Sequence, residues 1–113
     1  MTWPSPLVVN LGGEGEIPGV INQQGPWALD PSWRCSRDGR TLAELQADGH
    51  AFIFCDNDQL SFPTDSVDVV FTNSVPIDIS THLGPGVQTK EILRILKPGG
   101  KWIKDGVLHL VKP

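Results

Sequence analysis

Near its start the chain runs Leu7-Val8-Val9-Asn10-Leu11 and then breaks abruptly into Gly12-Gly13-Glu14-Gly15-Glu16, and this change constrains the fold more than any other stretch. A continuous apolar run with β-branched residues suits a strand buried on both faces, the kind found in parallel sheets. The glycines that follow let the chain turn sharply. Pro18-Gly19 is a second turn signal and Val20-Ile21 a short strand, so no helix fits between the two strands. The polar stretch from Asn22 to Gly39, with Pro26 and Pro31, reads as irregular. Thr41-Leu42-Ala43-Glu44 spells a capping box that opens a short helix, ended by Gly49. Ala51 to Cys55 and Val67 to Thr72 read as buried strands, and Gln88 to Lys97 as a helix with Ile92, Ile95 and Leu96 on one stripe. Pro98-Gly99-Gly100 stops that helix. Lys101 to Lys104 and Val107 to Val111 are strands joined by Asp105-Gly106, a type I′ hairpin signal. Strand and helix alternate, which predicts an α/β domain with a mainly parallel sheet and a terminal antiparallel hairpin.

The 113 residues suffice for one domain with one core. Thirteen acidic against nine basic side chains give a net charge of −4, which disfavours phosphate backbones and makes nucleic acid a poor partner. No apolar run approaches the roughly 20 residues of a bilayer span. Met1 to Pro6 carries two prolines and no basic segment before an apolar run, so no signal peptide is read. Cys35 and Cys55 are too few for a disulfide framework; they read as reduced thiols, with Cys55 a small buried hydrophobe, and the expected compartment is the cytoplasm. Trp3, Trp27, Trp33 and Trp102 are expected to anchor core and loops.

Parallel sheets bind ligands beyond the carboxyl ends of their strands. Here those segments are Gly12 to Glu16, Asp56 to Leu60 and Asn73 to Asp78. Asp56 has two readings, a ligand carboxylate or a cap on its own turn. Asn22, Gln23 and Gln24 read either as hydrogen-bonding partners of a ribose or as an ordinary polar loop. Asn73 either orients a nucleophile or satisfies loop backbone, and His82 is a base or simply an exposed histidine. His50, His82 and His109 are scattered without metal-ligand spacing, so no metal site is read. Neither a nucleophile elbow nor a P-loop is present.

Asp56-Asn57-Asp58-Gln59-Leu60-Ser61-Phe62-Pro63-Thr64-Asp65-Ser66-Val67-Asp68-Val69-Val70-Phe71 resembles a segment of class I S-adenosylmethionine-dependent methyltransferases. Glu91-Ile92-Leu93-Arg94-Ile95-Leu96-Lys97-Pro98-Gly99-Gly100 is similar to that family's downstream helix and strand entry. The two motifs follow in the family's order, and the matching region runs from Phe52 to Trp102. The resemblance implies a small Rossmann-like methyltransferase-type sheet with S-adenosylmethionine as cofactor and an unnamed methyl acceptor. It gives Asp56, Asn57 and Leu60 to adenine binding, and the glycine loop Gly12, Gly13, Glu14 and Gly15 to the methionine end. Asn22 takes the ribose position and Asn73 the catalytic one. Glu14 or Glu16 pairs with the cofactor's ammonium.

The chain departs from that pattern in three ways. Asn10 and Asn22 stand where acids are expected, and the first family helix is missing. Beyond the terminal hairpin the family's further helix and strands do not follow. A non-catalytic binding module that keeps the fold is therefore a second expectation, with a protein partner or a homodimer completing the shortened sheet. The phrase Asn10 to Gly19 is also similar to C-terminal toxin modules of bacterial polymorphic secretion systems.

Overall fold

The computed structural model describes residues 4–113, so Trp3 lies outside the described residues. Four parallel strands come first: β1 (Val8–Leu11), β2 (Ile21–Gln24), β3 (Ala51–Phe54) and β4 (Val67–Thr72). A small hairpin of β5 (Ser80–Thr81) and β6 (Gly84–Pro85) follows, then β7 (Leu96–Lys104) and β8 (Val107–Val111). The main sheet has the order β3-β2-β1-β4-β7-β8, parallel throughout except for the β7–β8 hairpin. The chain is thus α/β with a mainly parallel six-stranded sheet. None of its described helices is long and apolar enough to cross a membrane.

Among the described residues two α-helices accompany the sheet, α1 (Leu42–Ala47) on the β2–β3 crossover, where a 3-10 turn (Pro26–Leu29) precedes it, and α2 (Thr89–Ile95) before β7. The capping box of α1 forms: the Thr41 hydroxyl accepts from the Glu44 N–H while the Glu44 carboxylate accepts from the Thr41 N–H, each at 3.1 Å. At α2 the cap comes from a distance. Asp78 accepts from the Thr89 N–H at 2.8 Å and from its hydroxyl at 2.6 Å. The helix also ends earlier than its sequence pattern, because Leu96 already pairs with Val67 and the chain through Pro98-Gly99-Gly100 is strand. The Asp105-Gly106 turn carries positive φ at both residues, 50° and 81°, as a type I′ hairpin requires.

One sheet face holds the core. Val9, Leu11, Val70 and Trp102 lie side by side there, packed with Ile92, Ile95 and Leu96 and with Leu60 and Phe62. The Trp102 indole N–H donates to the Thr72 hydroxyl at 2.9 Å, which removes the cost of burying it. The motif pair Glu91 and Arg94 is structural. Glu91 accepts from the Leu60 N–H and from Arg94, and Arg94 reaches the carbonyls of Leu60 and Phe62, so α2 is riveted to the segment before β4. Asp68 does the same for β1, accepting from the Leu7 N–H at 2.8 Å and pairing with Lys97.

The opposite face is thinner. Residues 12–20 join β1 to β2 without a helix, and Val8, Val69, Phe71 and Ile103 on that face remain half-buried.

The irregular reading of the segment from Asn22 needs correction. Asn22, Gln23 and Gln24 form a buried strand, at 0%, 0% and 6% exposure. Their amides are tolerated there because protein groups engage all three. Asn22 donates to the Ala51 carbonyl, Gln23 to the Cys55 carbonyl and Gln24 to the Gly13 carbonyl, at 3.1, 2.8 and 2.9 Å.

Candidate functional site

The strand order reverses between β1 and β4: from β1 the chain moves outward to β2 and β3, then returns to lay β4 on the other side of β1. At such a switch point the loops leaving the two central strands diverge and open a crevice. A cleft of about 620 Å³ lies there. Its floor is the β1–β2 loop with Gly12, Glu14 and Glu16, next to Gln23 at the end of β2. Asn73, Ser74, Val75 and Pro76 from the end of β4 form one wall, continued by Leu83 and Val87. The other wall is the segment after β2, with Trp27, Trp33, Arg34, Ser36 and Arg37.

The glycines of the loop answer to its packing. Gly12 has φ +69°, and a Cβ there would strike the Val75 side chain. A Cβ on Gly13 would meet the Asn22 Oδ1 and, at 2.8 Å, the Asn10 carbonyl. The loop is folded back on β2 so closely that its amides are consumed. The Gly12 N–H donates to the Gln23 Oε1 at 3.1 Å, and the Gly13 N–H to the carbonyls of Asn10 and Gln23. The Glu14 N–H donates to the Glu16 carboxylate at 2.8 Å and the Gly15 N–H to the Asn22 Oδ1 at 3.2 Å. A glycine-rich loop that binds phosphate leaves such amides pointing outward. This one presents carboxylates instead.

Glu16 is the best-held of them. Burial pushes its pKa up, but the Asn10 amide nearby, the N–H groups of Glu14 and Glu16, and the Asn73 amide together outweigh burial and leave it below the ordinary glutamate value. Asn73 Nδ2 donates to its Oε2 at 3.2 Å. Asn10 itself is fully buried, and neither end of its amide completes a hydrogen bond with the described residues. Glu14 is held at the other wall, accepting from the Ser36 N–H and hydroxyl at 2.9 and 2.8 Å.

The structure gathers the sequence-derived candidates unevenly. Gly12, Glu14, Asn57 and Asn73 line the cleft. Gly13, Gly15 and Asn22 lie beneath it as the loop's support, with the Asn22 amide spent on Gly15 and Ala51. Asp56 is exposed in a shallower depression that shares Trp27, Asn57 and Leu83 with the cleft. It does not cap its own turn by its side chain; the Gln59 N–H bonds to its backbone carbonyl. Leu60 is not brought to the cleft. It is buried in the core, its N–H donating to Glu91 and its carbonyl accepting from Arg94. Asn57 bridges three elements, accepting from Gln23 and donating to the Pro85 carbonyl.

No family model, curated protein or solved structure matches this chain. The site therefore has to be read from its own chemistry.

Sequence reasoning missed Trp27, Trp33, Arg34 and Arg37 as cleft residues, whereas Gln23, one of its two readings a ligand partner, does line the cleft. Nothing in their local pattern marks those four, since they reach the cleft through the segment that follows β2. Among the described residues, no three His, Cys, Asp or Glu side chains come together as a metal site would require. His82 is exposed and is not among the residues lining the cleft.

Proposed function

We propose that the chain is an S-adenosylmethionine-binding, methyltransferase-like domain that holds the cofactor in the switch-point cleft with its cationic end over Glu16. The observation that carries this reading is the glycine loop. Its four successive amides, Gly12 to Gly15, are closed within the protein, while Glu16 stays ionised on the cleft floor. That arrangement repels a phosphate and attracts a sulfonium or an ammonium. The sheet order and the place of the cleft fit the same class of ligand, as does its volume, which lies in the usual range for small-molecule sites. Asp56, its carboxylate free, and Asn57 would take the adenosine end. Bound S-adenosylmethionine supplies an electrophilic methyl group, and the protein's contribution is to position it.

Calorimetric titration with S-adenosylmethionine and S-adenosylhomocysteine tests the reading. Both bind, and Glu16→Gln weakens both by about tenfold, the cost of a lost charge-assisted contact. Absence of binding at millimolar ligand refutes it.

A second reading, binding without transfer, has one observation in its favour. The Asn73 amide, placed where an acceptor would be oriented, is already committed to Glu16. Incubating the loaded protein with a cell extract and methyl-labelled cofactor separates the two: label transferred to any component supports catalysis, and binding without transfer supports the module.

A further inference from the structure

With the amides of Gly12 to Gly15 occupied, a ligand carboxylate entering the cleft finds none of these four N–H groups open to it. Its counter-charge has to come from the facing wall. Ser36 fastens that wall to the loop through Glu14. Three arginines stand in this segment, and Arg37 is the one whose guanidinium has no partner among the described residues. Arg34 spends Nη1 on the carbonyls of Pro31 and Trp33, and Arg40 is paired with Asp38 and Asp48. Arg37 lines the cleft, is exposed, and makes no hydrogen bond or ion pair among the described residues. Glu16, ionised, lines the same cleft. One cleft thus presents a free planar cation and a fixed anion.

We infer that Arg37 is a specificity-determining residue that grips the α-carboxylate of the ligand while Glu16 holds its ammonium, so that the cleft selects an intact α-amino acid group. A guanidinium offers two parallel N–H donors to the two oxygens of a carboxylate, a geometry that lysine cannot copy. The inference rests on the proposed cofactor and names which part of it is recognised and by what.

Three ligands make the test: S-adenosylmethionine, its decarboxylated form, which keeps sulfonium and amine, and 5′-methylthioadenosine, which keeps neither charge. Each is titrated by calorimetry into the wild type, Arg37→Gln and Arg37→Lys. The wild type prefers S-adenosylmethionine to the decarboxylated form by about tenfold or more. Arg37→Gln erases that preference by weakening S-adenosylmethionine alone, and Arg37→Lys restores part of it. Arg37 is exposed, so urea midpoints of all three proteins coincide. Equal affinity of the wild type for the two charged ligands overturns the inference and leaves the cofactor reading standing. A preference that survives Arg37→Gln overturns the role of Arg37. No binding of any of the three overturns both.

Discussion

Replacing Gln23 by methionine keeps the side chain's length and volume but removes both ends of its amide. In the native protein Gln23 is fully buried, accepts from the Gly12 N–H at 3.1 Å, and donates to the Cys55 carbonyl at 2.8 Å and the Asn57 Oδ1 at 3.3 Å. The volume-conserving change adds little packing cost by itself. The loss falls on the partners. Gly12 borders the cleft and regains water, whereas the Cys55 carbonyl lies against the core cluster and regains little. With the Cys55 carbonyl the one group left unpaired, at about 1–3 kcal/mol for such a group, the net destabilisation is about 1–3 kcal/mol. With a urea m-value of about 2 kcal/mol/M, the midpoint falls by about 0.5–1.5 M at unchanged slope. Urea unfolding followed by tryptophan fluorescence and by circular dichroism measures it. An unchanged or raised midpoint would refute the claim that buried amides hold β2 in the sheet.

Three further outcomes follow from the contacts described. Glu91, buried against Arg94, has its pKa lowered by the Arg94 hydrogen bonds against the opposing effect of burial. Its contribution is therefore complete above the ordinary value of 4.5 and lost as pH falls through the lower folded value; Glu91→Gln should flatten that acid limb in stability measured against pH, and an unaltered limb would place it elsewhere. Thr41→Ala removes the cap of α1 and should cost about 1 kcal/mol, read as a lower urea midpoint. Asp56→Ala, at an exposed side chain, should leave the midpoint unmoved while weakening nucleoside binding; equal affinity in the variant would remove Asp56 from the site.

The sequence made the skeleton readable where local rules and burial agree. Val67–Thr72 alternates with turns and carries a core face, Thr41 to Glu44 is a complete capping box, and Asp105-Gly106 has one favoured turn. Asn22 to Gln24 failed the same test for a physical reason. Three amides in a row are polar by any scale, and only partners 7 to 34 residues away make their burial acceptable. Leu60 illustrates the converse. Its motif is local, but whether its amide faces a ligand or Glu91 is decided by where α2 packs. Of the site, the glycine loop and Asn73 were legible because they end strands. Arg37 was not, because its position depends on how an irregular segment folds back onto Glu14 through Ser36.

The helix-free link between β1 and β2 has a consequence for the order of folding. Neighbouring parallel strands are ordinarily joined through a helix, in units of roughly 30 residues, and closing so long a loop delays their pairing. Here the loop is residues 12–20 alone. The logarithmic dependence of closure entropy on length makes this roughly 1 kcal/mol cheaper than a 30-residue connection. The β1–β2 ladder is therefore the most local pairing in the parallel sheet, available long before β4 returns to β1 from residue 67. Pairing β1 with β2 also closes the glycine loop, so the loop and the ladder carry one shared entropy cost.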